Sequence, residues 1–351
     1  MNKPFLRIII LLFTALFYLG CQGGIFNANN NGSTNGIIEK SGELTQDEVW
    51  DGRIYITGSV IVPADITLTI RSGTIVGFEP KDEPSEIIVY GEFYAEGSPD
   101  NMIVFGSLGK QQTPQDVRTE ETPTTNINIQ NSFNNNIQNS QTSTTRKSIA
   151  SPPKAGDWRG ITIETQSLNS RLTYCRIQHA KNAILCKTDT VQIERCLFSE
   201  NNIGVLCENT NPTISSNEFN RNGSGAQFRG SSAPEVEFNE FAANRYGIVC
   251  EDDSRPRIHH NNIRSNYEYA IICYSTSSPE IVSNNITLNN GWAVYDGGRL
   301  RDNYISGNKQ VGPNVTELGI GTQSDQFYSV EEVFDPRSTP VSEAGLPRDK
   351  F

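Results

Sequence analysis

The sequence predicts an all-β solenoid whose coils repeat every 21–23 residues, and three observations lead there. First, a phrase recurs: Pro, any residue, an aliphatic, two residues, Asn, any residue, an apolar residue, two residues, Asn. It stands at Pro212-Thr213-Ile214 with Asn217 and Phe219, at Pro234-Glu235-Val236 with Asn239 and Phe241, at Pro256-Arg257-Ile258 with Asn261 and Ile263, and at Pro279-Glu280-Ile281 with Asn284 and Ile286. These Asn positions are spaced 22, 22 and 23, and the register extends back to Cys196 and Cys175 and forward to Asn303. A period this short cannot hold two helices; it fits one coil of a stack that buries its apolar face only against its neighbours. Second, each period carries two short apolar clusters, many of them β-branched, such as Gly247-Ile248-Val249-Cys250 and Ala270-Ile271-Ile272-Cys273, separated by Asn, Gly, Ser or Pro. Third, no window shows the period of an amphipathic helix. The repeated Asn suits a tight turn, because it tolerates left-handed backbone angles and its amide can bond the same amide in the coils above and below.

Taken along the chain, residues 1–20 read as a secretory signal: Lys3 and Arg7 precede an apolar run from Phe5 to Leu19. Gly20-Cys21 resembles a bacterial lipoprotein cleavage site, which implies a lipidated Cys21 and a membrane anchor; cleavage by the general signal peptidase is the alternative. Gln22 after the Cys leans towards the outer membrane or cell surface over the inner membrane. Residues 21–40, rich in Asn, Gly and Ser, read as a flexible tether. Coils are expected over 41–107 and again over 156–309. Between them, 108–155 is rich in Gln, Asn, Thr and Ser and lacks an apolar period, so it reads as a disordered insertion. Residues 310–351 leave the repeat and read as a C-terminal cap or tail.

The Asn phrases resemble those of right-handed parallel β-helix repeat proteins, the pectate-lyase-like superfamily with its bacterial lipoprotein members. The earlier segments resemble the same family: Ile54-Tyr55-Ile56-Thr57-Gly58, Leu68-Thr69-Ile70 and Ser72-Gly73-Thr74-Ile75 its opening coil, Ile88-Val89-Tyr90-Gly91 and Ile103-Val104-Phe105 the next, and Asp157-Trp158-Arg159-Gly160-Ile161 the third. The likeness covers about residues 43–308 apart from the insertion. It implies a single-stranded right-handed parallel β-helix and says little of function, because the scaffold hosts many activities.

Candidate site residues follow from the register. Aligning the Pro phrases stacks Gln192, Thr213, Glu235, Arg257 and Glu280 in one outward row, and Glu194, Ser215, Glu237, His259 and Val282 in the row beside it. Glu237, Arg257 and His259 are therefore the candidate catalytic group, with Glu235 and Glu280 as binding residues. Carboxylates beside an Arg and a His suit abstraction of a sugar C5 proton, with Ca2+ neutralising a uronate. The bland alternative is a surface ion-pair ladder of small energetic value, and no lyase or epimerase signature accompanies the row. A second outward row, Leu185, Leu206, Gln227, Val249, Ile272 and Tyr295, reads as an apolar stripe that the C-terminal segment would cover, flanked by Tyr274 as a further binding residue. Six cysteines sit in register after Cys21: Cys175 with Cys196, Cys186 with Cys207, Cys250 with Cys273. Export permits disulfides between them, but parallel in-register Cβ vectors suit a bridge poorly, so buried thiols are preferred. No metal-ligand spacing is present.

The net charge of −11 argues against nucleic acid as a partner. The expectation is a monomeric, non-catalytic envelope lipoprotein binding an extended glycan or an envelope protein. The first alternative is a polysaccharide lyase, epimerase or hydrolase; the second is periplasmic copper delivery through the thiols.

Overall fold

A computed structural model describes residues 37–109, 151–274 and 276–309, with the backbone of 316–317. The expected signal, the expected lipidation site Cys21, most of the insertion and most of the C-terminal segment lie outside the described residues. All regular structure among the described residues is β, and the strands pair in parallel.

Each coil has three sides. The first face is an eleven-stranded parallel sheet running from Glu48–Trp50 through Gln192–Glu194, Thr213–Ser215, Glu235–Glu237, Arg257–His259 and Glu280–Val282 to Thr316–Glu317. The second face stacks short strands such as Leu197–Ser199, Glu218–Asn220, Glu240–Ala242 and Asn262–Arg264. The third stacks Ile203–Glu208, Ser224–Arg229, Tyr246–Cys250, Ile271–Cys273 and Val294–Tyr295. The alternation of side chains puts Ile193, Ile214, Val236, Ile258 and Ile281 of the first face inside, all with no exposed surface. On the second face Phe198, Phe219 and Phe241 form a buried stack, with centroids 4.9 and 4.6 Å apart. Phe219→Ala opens a cavity there and is expected to cost about 3–5 kcal/mol, read as a shift in urea midpoint.

Corners define the coil. At the first corner a residue in left-handed conformation (Ser216, Phe238, His260, Ser283 or Asp302) precedes the buried Asn217, Asn239, Asn261, Asn284 or Asn303. From Asn239 on, each Asn Oδ1 accepts the backbone N–H and the side-chain amide of the Asn one coil earlier; Asn217 N and Nδ2 lie 2.9 and 3.1 Å from Asn239 Oδ1. Its own Nδ2 donates to a backbone carbonyl, as Asn239 does to Ile214 at 2.9 Å. A second ladder, through Asn201, Asn222, Asn244, Asn266, Asn289 and Asn308, holds the other corner in the same way. Both ladders satisfy turn backbone that would otherwise be buried without partners.

The sequence reading is corrected at one point. The first strand, Ile37–Glu43, pairs with Arg53–Val62, so the coil region begins inside the stretch read as tether. The pairs Cys175–Cys196, Cys186–Cys207 and Cys250–Cys273 stand as buried free thiols, the preferred of the two readings. Cys175 and Cys196 occupy the head of the first Asn ladder, and their Sγ–H groups donate to backbone carbonyls of Ala95 (3.2 Å) and Glu194 (3.2 Å). Burial foremost holds the Cys175, Cys207 and Cys250 thiols well above their ordinary pKa. These six cysteines are expected to resist a thiol reagent in the native protein and to react together on denaturation. The row Leu185, Leu206, Gln227, Val249, Ile272 and Tyr295 is in register, and Leu206, Gln227, Val249 and Ile272 are buried; most of the C-terminal segment expected to cover it lies outside the described residues.

The insertion leaves the stack unbroken, since Gly160–Ile163 pairs directly with Glu86–Val89 across it. Trp158 stacks on Phe78 at 3.8 Å, and Gly160 is confined as well. Its φ is +119°, and an added Cβ would lie 1.6 Å from the Asn182 carbonyl oxygen. Gly160→Ala should therefore lower the urea midpoint more than Gly52→Ala, where φ is +83° but nothing lies within 4 Å.

Candidate functional site

The first face brings the charged residues together as the register implies. Glu235 pairs with Arg257 and Arg257 with Glu280; Glu237 pairs with His259. Arg257 Nη1 lies 2.6 Å from Glu235 Oε1, and its Nε is 3.9 Å from Glu280 Oε2. His259 is buried, its Nε2 hydrogen-bonded to Glu235 and 3.7 Å from Glu237. Its Nδ1 meets His260 Nδ1 at 2.7 Å, so one of the two rings donates and the other accepts. Burial first, then the neighbouring His259, hold the His260 imidazole below its ordinary pKa. The corner residue Phe238 packs against both rings. Beyond Glu280 the row continues to Arg299, and the adjacent row to Arg301, whose Nη2 is 3.6 Å from Glu280.

Every charge in this group has a partner of opposite sign or a hydrogen bond. The carboxylates are spent on Arg257 and His259, and Arg257 is held between two of them. Among the described residues no three Asp, Glu, His or Cys side chains converge on a metal position.

Tyr274 does not join this group. It follows the third-face strand Ile271–Cys273 and is 42% exposed. Burial, then Glu251 and Tyr269, raise its phenol pKa, which places it beside an aromatic cluster absent from the sequence-based site. There Tyr246, Tyr269 and Trp292 stand at the same position of three successive coils, as the flanking register shows. Tyr269 stacks on Tyr246 at 6.1 Å and on Tyr295 at 5.0 Å, and Trp292 leans on Tyr295 at 4.9 Å. Arg245 lies over the Tyr246 ring at 4.9 Å and pairs with Glu268 at 2.7 Å. Burial and the bond to Glu268 push the Tyr246 phenol up to about 12. The signal was present in the sequence, because residues 246, 269 and 292 are 23 apart.

A third group was also missed. On the outward side of the second face, Glu218 and Glu240 sit opposite each other on adjacent coils, and both are buried. Arg264 Nε lies 2.5 Å from Glu240. Desolvation nonetheless dominates, with Glu218 adding to it, and raises the Glu240 carboxyl to about 7.

Comparison with known proteins bears on the scaffold. No curated protein matches the chain. Among solved structures, a mutant of the periplasmic alginate epimerase AlgG is similar at 12% identity over 80% of this chain and 76% of that one, with a TM-score of 0.36; a likeness that low carries no argument about chemistry. The description "Right handed beta helix region" matches residues 115–241 and 182–323, together more than half of the chain. With its repeat phrase, its three-sided parallel coils and its corner ladders, this chain belongs to the right-handed β-helix family.

Proposed function

We propose that the protein is a cell-envelope β-helix, anchored through a lipidated Cys21, that holds an extended glycan along its first face without turning it over. The observation that supports this is the unbroken outward row of that face. Thr69, Tyr94, Arg171, Gln192, Thr213, Glu235, Arg257, Glu280 and Arg299 follow one another in register, one per coil. Polar groups therefore recur at the coil rise, about 4.8 Å, a track suited to a polymer lying along it. The internal pairing of Glu235, Arg257, Glu280 and His259 favours binding over proton abstraction, since a general base must be free to reach its proton.

The reach of His259 and Glu235 for one another favours one second reading, a lyase or epimerase using His259 as base. The test is a polysaccharide screen of the full chain that follows binding and unsaturated product together. Binding without turnover, weakened severalfold by Arg257→Ala, supports the proposal. Turnover that is lost in His259→Ala replaces it with the enzymatic reading.

A further inference from the structure

The aromatic cluster of the third face is a binding site separate from the first-face track. We propose that it takes the flat face of an uncharged pyranose chain, with Trp292 as the anchor.

Three observations carry the assignment. The first concerns ring orientation. Tyr246 is covered by Arg245 on one side and stacks with Tyr269, which in turn stacks with Tyr295 at an interplanar angle of 10°. Trp292 breaks this stack, turned 52° from Tyr269 and 42° from Tyr295. Its indole leans on Tyr295 at 4.9 Å and is half-buried, so it is held in place with part of its surface exposed. A rigid, partly exposed indole beside tyrosine hydroxyls offers an apolar plane with polar groups at its edge, the combination a sugar ring presents in return.

The second observation is charge. Arg245 is paired with Glu268 at 2.7 Å and Arg229 with Glu251 at 2.7 Å. The ions beside the rings cancel locally, so the patch rewards a ligand without charge, and the chain's net −11 disfavours a polyanion. The third is extent. Three coils span two rises, roughly 10 Å along the stack. That length holds about two sugar rings, whereas a stable protein interface needs about 800 Å² on each side.

The protein supplies its own probe. Of its three tryptophans, Trp50 and Trp158 are buried in the core, with 1% and 0% exposure, so a ligand at the surface perturbs Trp292 emission alone. The full chain is titrated with a β-1,4-glucose hexasaccharide, an N-acetylglucosamine hexasaccharide and a galacturonate hexasaccharide, by fluorescence and by calorimetry. A saturable emission shift with a neutral chain is expected, with affinity about tenfold weaker in Trp292→Ala. Trp292→Phe, which keeps a ring for packing, is expected to fall between. Thermal melts identify any variant that has lost its fold; Trp292→Phe then carries the comparison. Absence of any neutral-glycan response overturns the assignment, as does galacturonate binding tighter than the neutral chains, or capture of a protein at this patch in place of glycan. Binding that is lost in Arg257→Ala but unchanged in Trp292→Ala also overturns it, while leaving the first-face track standing.

Discussion

Asn239→Ala is expected to destabilise the protein by about 3–5 kcal/mol, more than any surface change on the same coil. The magnitude follows from what the amide leaves behind. Asn239 Oδ1 accepts both the backbone N–H and the side-chain amide of Asn217, at 2.9 and 3.1 Å, and its own Nδ2 serves the Ile214 carbonyl at 2.9 Å. All of these groups are buried and none can reach water once the amide is gone. Each orphaned buried group costs about 1–3 kcal/mol, and the left-handed turn at Phe238 loses its brace. Asn308, at the end of the second ladder, is partly exposed, so Asn308→Ala should cost roughly 1 kcal/mol or less, because water replaces the lost partner. Urea unfolding of the two variants checks the contrast. Equal midpoints would mean that the ladders contribute little.

Glu240→Gln should flatten the pH dependence of stability between about pH 4.5 and pH 7. The Glu240 carboxyl is raised to about 7 from an ordinary 4.5, with burial as the main cause. A carboxyl raised in the folded state stabilises that state while it is protonated. Its contribution is fully present below the unfolded pKa and is lost as pH rises through the folded one. The parent protein should therefore lose roughly 3 kcal/mol from this group between those limits. His260, whose pKa is lowered, acts in the opposite direction, its contribution being lost as pH falls. The difference between parent and Glu240→Gln cancels that term and isolates Glu240. Thermal melts across this range check it, and a constant difference would show that Glu240 stays ionised in the fold.

The charged row of the first face is legible in the sequence because it depends only on period and alternation. Once Asn217, Asn239, Asn261 and Asn284 set the register, Glu235, Arg257, Glu280, Glu237 and His259 have to share one outer surface, and they do. The group around Tyr246, Tyr269 and Trp292 is equally periodic, but a period alone does not tell exposed rings from core ones. Their half-exposure, which no period encodes, is what makes them a surface. Nor does a period show that Glu218 and Glu240 are buried.

By itself the sequence determined the solenoid, its period and the neighbours each side chain meets one coil away, since a parallel in-register stack turns spacing along the chain directly into spacing along the axis. It also pointed to the cysteine pairs as stacked neighbours. Only the tertiary structure decided which neighbours form bonds: that the thiols stay free and donate to carbonyls, that Arg257 is held between two carboxylates, that Leu206 and Ile272 are buried, and that Trp292 is turned out of its stack. Register is a one-dimensional property and can be counted. Burial, ring tilt and the protonation of Glu240 depend on what surrounds a side chain in all three dimensions.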